Sequence, residues 1–397
     1  MKSSYLILTL IVMLFFACKQ AYTPPAITSS GSYLVVEGVI NNSSDSTIIK
    51  LSNTVNIGSK VSSSPVLNAT VSVHGDQNVS YPLTEIGQGK YFTTNLNLDN
   101  THKYQLVITT ATNKQYYSDY EPVLNAPLID SVYFTISNKT ININTASHDA
   151  TNTVKYYRWD YKETWIIHSP YFSYYKSNGD TVLDRDLLND NIFECWASDT
   201  SSTLVLNSTE KLKQPILKDN VITSFPISAE RAAHRYSILV NQYALSADAY
   251  NFWTNLKKNT EKLGSIFDPQ PSQINGNIHC LTDPAEIVIG YISVGTVTTK
   301  RIFISNQQLP LSIYTSPYGD CMVDSLLYKF YYPGSKIPID QVDINLNVNR
   351  GAITNPLIPI DAIIARPHTP ILGYTASSRF CVDCTLRGTN KKPDFWK

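Results

Sequence analysis

Between residues 33 and 120 apolar and polar residues alternate over short runs, and this period of two constrains the fold more than any other feature of the chain. Successive side chains of a strand point to opposite faces, so the alternation marks a sheet with one buried side. The runs are Tyr33–Val39, Thr47–Leu51, Ala69–Val73, Tyr81–Leu83, Gly89–Phe92, Tyr104–Ile108 and Gln115–Ser118. Polar turns separate them, with hairpin signals at Gly75-Asp76 and Gly87-Gln88-Gly89. About seven short strands at this spacing predict an Ig-like or prealbumin-like β-sandwich over 32–125. The segment Glu121–Pro127 breaks the pattern and sets the boundary to a larger β-rich domain, 126–397.

In that second part Ile129–Ile136, Lys155–Ile167, Tyr236–Tyr243, Ala285–Ile292, Thr298–Ile304 and the alternating Asp343–Val348 read as strands. Lys155–Ile167 places Tyr157, Trp159 and Tyr161 on one face, with Arg158, Asp160 and Lys162 on the other. Residues 170–220 are polar and read as irregular, and Asp324–Tyr331 is ambiguous. The period changes once: Ala249, Phe252, Trp253, Leu256 and Leu263 form an amphipathic stripe. With Ser246 as N-cap and Gly264 as stop, this predicts one helix over 247–263, packed on a sheet.

The N-terminus indicates export. Lys2 precedes an apolar run, Tyr5–Phe16, interrupted only by Thr9. It is too short for a spanning helix, which needs roughly 20 residues, and suits a signal-peptide core. The run ends Phe16-Ala17-Cys18, similar to a bacterial lipobox with Phe15 where Leu is usual. The expectation is a signal peptide over 1–17, lipidation of Cys18, and a flexible tether over 18–31 that anchors the chain to a membrane. The other reading is an ordinary secretory signal with an incidental cysteine.

Export bears on the pair Cys381-Val-Asp-Cys384 near the C-terminus. Disulfides persist outside the cytosol. A zinc site would need a second ligand pair, and no other C-x2-C exists. A redox couple would open a helix after a strand, whereas this pair lies in a Gly/Thr/Asn/Lys tail. Disulfides are therefore expected. The tail has few apolar residues of its own, so at least one of its cysteines should reach back to the body, with Phe395-Trp396 packed beside the link. Once Cys18 is lipidated, five cysteines remain, and an odd count leaves one unpaired. Cys280, after NGNIH at the start of a core hairpin, suits a buried thiol.

Lys+Arg and Asp+Glu are both 32, so a neutral, weakly charged chain gives no electrostatic case for nucleic acid. The 26 tyrosines suit strand packing, with sugar stacking as the other use. No nucleophile elbow, zinc-protease helix, P-loop or dinucleotide fingerprint occurs, and the histidines are scattered singly. Glu163 is a candidate acid, read as paired with Arg158 or Lys162. Asp184-Arg185-Asp186 with Asn189-Asp190-Asn191 offers oxygens for calcium without the EF-hand glycine or terminal Glu. The expectation is a non-enzyme with no cofactor and no metal.

The lipobox, LVVEGVI, ATVSV, GKYF, YYRWDYKETW, ECW, YSILVNQYALS, the Phe252-Trp253 helix, SIFDPQPSQINGNIH, EIVIGYISV, KRIFI and CVDCTLRGTNKKPDFW occur in this order. Together they resemble the Bacteroidota lipoprotein family called domain of unknown function 4249. The resemblance implies an outer-membrane lipoprotein that serves as accessory to a TonB-dependent transporter in capturing or handling a ligand. It also marks Cys195, Cys321, Cys381 and Cys384 as the disulfide framework, which implies that the tail's partner is Cys195 or Cys321. The alternative is a carbohydrate-binding or adhesive surface module. The export signal for the cell surface, an acidic run after the lipid cysteine, is missing at Lys19–Tyr22, so the periplasmic face and the cell surface both stay open. Asp45-Ser46-Thr47, Asp130-Ser131-Val132, Asp180-Thr181-Val182 and Asp324-Ser325-Leu326 resemble the O-glycosylation sequon of that phylum.

Overall fold

The period-two runs become strands. In Leu34–Asn41, Leu34 and Val36 face inward; in Lys103–Thr109, Tyr104, Leu106 and Ile108 do. The computed structural model describes residues 32–43, 45–55, 63–261, 275–310, 316, 318–319, 321–346 and 357–397. The expected signal peptide, Cys18 and the tether lie outside these residues. Among the described residues no helix is long and apolar enough to cross a membrane.

The first layer pair runs, in hydrogen-bonded order, Leu34–Asn41, Ser46–Asn53, Lys90–Thr94, Ser80–Gly87, Thr70–Gly75, Lys103–Thr109 and Gln115–Ser118. Every neighbour is antiparallel. Residues from all seven strands meet in one buried cluster, so the sheet folds over its own apolar face as a sandwich. Both hairpin signals form turns, and Gln88 adopts a left-handed φ of 53° between Gly87 and Gly89. Gly38 is required by close packing: at φ 148°, a Cβ there would sit 2.6 Å from the carbonyl oxygen of Ile48.

This core is not built from 32–125 alone. Ile278–Cys280 extends the sheet beside Gln115–Ser118, and Ile278, Cys280, Val288, Ile292 and Val294 join the same cluster. Residue 125 otherwise separates the first cluster from the second, which begins at Ala126.

The second layer pair sets Glu194–Thr200, Tyr156–His168, Arg235–Leu245 and Ser293–Ser305 in one antiparallel sheet. Ile129–Ser137, Thr140–His148 and Ile216–Pro226 form the sheet opposite. The alternation in Tyr156–His168 is as expected: Tyr157 and Trp159 are buried, and Arg158 and Asp160 project from the other side. Gln242, fully buried, accepts from Trp159 Nε1 at 3.0 Å and Ser147 Oγ at 2.6 Å, and donates to the Pro127 carbonyl. The strand Ser293–Ser305 joins the two halves. Its start lies parallel to Leu34–Asn41 and Glu121–Asn125, and its remainder pairs with Arg235–Leu245.

The helix spans Ala247–Glu261, and the remainder of the expected 247–263 lies outside the described residues. Ser246 Oγ accepts the Ala249 N–H at 3.1 Å, a cap at the third helical position. Ala249 and Phe252 are buried, with Trp253 and Leu256 half-buried against Leu245 and Tyr291.

Three readings of the second part are corrected. Residues 170–220 hold strands at Tyr175–Ser177, Val182–Asp184, Glu194–Thr200, Val205–Ser208 and Ile216 onward. Tyr175–Ser177 and Val182–Asp184 pair with each other as a short hairpin, and the other three pair with strands farther away in the chain, which local pattern does not reveal. Ala285–Ile292 is extended over Val288–Ile289 only. Asp343–Val348 was expected as a strand, but Gln341–Leu346 is helical. Asp340 accepts the Asp343 N–H at 2.9 Å as an N-cap, and Val342 and Leu346, four apart, bury together. The cap and the i,i+4 pair outweigh the apparent alternation. A short sheet of Asp324–Leu327, Ile371–Ser377 and Ile358–Ile364 covers this helix.

Candidate functional site

The four expected cysteines form two bridges, Cys195–Cys384 and Cys321–Cys381, each with Cα atoms 5.7 Å apart. Cys280 is buried and free. Each tail cysteine thus reaches a different part of the body, although the tail does hold a helical turn, Arg379–Val382. Trp196 and Thr389 exchange backbone hydrogen bonds of 2.8 and 3.0 Å. Trp396 is buried edge-on to Trp196 and Phe303, and the Arg301 guanidinium lies 3.6 Å from the Phe395 ring centre. These links fasten the tail to the body.

Glu163 does not pair with Arg158 or Lys162. It shares the parity of Tyr157 and Trp159, so it points into the interior, where Arg231 Nη1 and the Tyr236 hydroxyl each donate to it at 2.5 Å. Burial raises its carboxyl above the usual range despite the Tyr236 hydrogen bond and the Arg231 charge. The calcium candidates are also occupied. Asp186 accepts from the N–H groups of Leu188 and Asn189 and from the Asn189 amide, and Asp190 pairs with Lys176 and Arg185. Among the described residues no group of three His, Cys, Asp or Glu side chains is placed to hold a metal ion.

A site that the sequence reading missed lies where the two sandwiches meet. A cleft of ≈ 350 Å³ opens between the two halves of the molecule. One wall is Gly38, Asn41, Ser46 and Ile48, from the first two strands and their turn. The other is Arg158, Asp160, Asn241 and Thr299, projecting from the outer face of the second sheet. The guanidinium of Arg158 lies 4.3 Å from the ring centre of Tyr243 and 4.6 Å from that of Trp253. Tyr243 is its cross-strand partner, and Trp253 comes from the helix.

Two rings hold this cation by its faces, a contact worth about 0.5–2 kcal/mol per ring according to desolvation. Its hydrogen-bonding edge is not used. The Arg158 side chain is 15% exposed, and its Nε is buried with no hydrogen-bond partner. The Asp160 carboxylate stands 3.8 Å from Nη2, beyond hydrogen-bond distance. Asp160 is itself held by Asn241 Nδ2 at 2.7 Å. Burial and the Asp160 charge raise the Tyr243 hydroxyl above its usual range, so it stays a donor. The arrangement can present a flat, oriented fork of N–H groups beside a carboxylate acceptor. The one sequence signal was the parity of Arg158 on an aromatic strand, because both rings and the facing wall come from elsewhere in the chain.

Residues 20–301 match the family model described as a domain of unknown function, DUF4249. The chain belongs to this family. The match contains both walls of the cleft and all three residues of the ring-stacked cation. No curated protein matches the chain. Among solved structures the chain is similar to a DUF3823 family protein from Bacteroides ovatus at 11% identity, over 54% of this chain and 91% of that one, with a TM-score of 0.15.

Proposed function

We propose that this DUF4249 protein is a lipid-anchored outer-membrane lipoprotein that captures or handles a ligand for a TonB-dependent transporter, without catalysing a reaction. The observation that carries the ligand-capture part is Arg158: a shielded cation with an unused donor edge, facing an open cleft between two β-layers. The Nη2 of Arg158 stands 3.8 Å from the Asp160 carboxylate, beyond hydrogen-bond distance, on a residue that lines the cleft, which favours an external partner. The anchor rests on Phe16-Ala17-Cys18, and the transporter on the family resemblance. Affinity purification of the full chain from solubilised outer membrane tests the reading. A TonB-dependent transporter should co-purify; recovery of the lipoprotein alone, under conditions that retain other transporter complexes, contradicts it.

The carbohydrate-binding alternative is favoured by one other observation. Tyr331 and Tyr332 are 53% and 58% exposed next to Phe330, and exposed ring faces stack on sugars. A glycan array would then give signals that Tyr331→Ala and Tyr332→Ala remove. Unchanged signals would exclude these rings as the platform.

A further inference from the structure

Resting on the ligand-capture reading, we propose that the Arg158 cleft binds a small carboxylate whose acid group has hydrogen-bond donors, hydroxyl or ammonium, beside it. Contact with the rings of Tyr243 and Trp253, whose centres lie 4.3 and 4.6 Å away, holds the guanidinium at the cleft wall and leaves its N–H groups for recognition. A planar fork of parallel N–H groups matches the two oxygens of a carboxylate or phosphate. The cleft carries two acids of its own, Asp160 and Asp45. Their charge repels a doubly negative phosphate more than a singly negative carboxylate. The same acids supply acceptors for donors on the ligand. Asp160 accepts from Asn241 at Oδ1 and lies beside the Tyr243 hydroxyl, while its Oδ2 stands 3.8 Å from Arg158 at the cleft wall, where it can also accept from a ligand hydroxyl or ammonium.

Neutral sugar stacking does not fit this site, because Tyr243, the one aromatic ring lining the cleft among the described residues, has the Arg158 guanidinium over it. The volume of ≈ 350 Å³ lies at the small end of ligand pockets, which span roughly 300–1,000 Å³, and suits a ligand of the size of a dipeptide or a short acidic sugar. Both sources share the required chemistry, a carboxylate flanked by donors.

The test is calorimetric titration of the detergent-solubilised full chain with D-glucuronate, alanyl-alanine, D-glucose and inorganic phosphate. One carboxylate should bind, and which one does identifies the source as an acidic sugar or a peptide terminus. Glucose and phosphate should bind at least about 10-fold more weakly. Arg158→Lys, which keeps the charge and loses the fork, should weaken binding by about 10- to 100-fold, and Arg158→Gln should abolish it. Binding of neither carboxylate, equal binding of phosphate, or unchanged affinity in Arg158→Gln overturns the proposal. If Arg158→Gln does not fold, phenylglyoxal modification of the wild type replaces it: the bound carboxylate must protect Arg158, and an unprotected Arg158 overturns the proposal. The functional reading fails separately. Transporter co-purification absent from the wild type contradicts that reading and leaves a positive titration standing, whereas negative titration with retained co-purification removes only the ligand assignment.

Discussion

Asp149 and Glu163 are both buried acids, and their surroundings drive them in opposite directions. Burial alone would raise Asp149, but the hydroxyl of Thr151 and the N–H groups of Val154, Thr151 and Thr153 outweigh it and hold its carboxyl at about 2. A depressed acid stabilises the fold fully above its ordinary value of 3.8, and that contribution is lost as pH falls through about 2. Asp149→Asn should therefore cost about 2 kcal/mol at neutral pH, read by urea denaturation, and the difference should vanish toward pH 2. Glu163 has the reverse sign. Its carboxyl is raised above 4.5, so the folded state holds a proton that the unfolded state has released, and stability falls as pH rises from 4.5 through the folded value. Glu163→Gln, neutral throughout, escapes that loss. The melting temperature of the wild type minus that of the variant should drop between pH 4 and 7; a difference that stays level or rises contradicts the assignment.

At the scale of elements, the helix Ala247–Glu261 has two duties on adjacent residues. Phe252 is 4% exposed and packs on Tyr291, while Trp253 is half-buried and covers Arg158. Phe252→Ala should cost about 3–5 kcal/mol, and Trp253→Ala less, since its lost contacts are partly with solvent. Thermal denaturation ranks the two, and a larger loss for Trp253→Ala would contradict the packing described. The helix was readable because cap and stripe are local, and the strands of 33–120 because alternation is local. Gln341–Leu346 was misread because its parity imitates a strand, and the deciding cap on Asp340 counts for little without the packed Leu346. The short strands within 170–220 carry little pattern: Tyr175–Ser177 and Val182–Asp184 are three residues each, and the others are defined by partners farther away in the chain.

For the whole molecule, long-range connection explains both the fastening and the cleft. The bridges Cys195–Cys384 and Cys321–Cys381 close separations of 189 and 60 residues, for which chain entropy gives about 5 and 4 kcal/mol before any strain. The paired substitution Cys195→Ala with Cys384→Ala should lower the melting temperature and expose the tail beyond residue 384 to protease; unchanged digestion would show that Trp396 docking and the remaining Cys321–Cys381 bridge suffice to hold it. The four bridging cysteines could be named in advance because the family resemblance marks them as the disulfide framework. The cleft could not, because its walls come from 38–48, 158–160, 241–243 and 297–299, segments far apart in the chain that the shared strand Ser293–Ser305 helps bring together.

If a captured ligand passes from this cleft to a transporter, the mouth of the cleft must face that transporter. Ile48 lines the cleft and is 43% exposed, so a photo-crosslinking amino acid at position 48 reports what stands there in intact cells. The account predicts an adduct with a TonB-dependent transporter that a control position at Leu188, 92% exposed in the turn after Val182–Asp184, does not give. Crosslinks at position 48 that contain no transporter, in cells where the lipoprotein is anchored and folded, would contradict it.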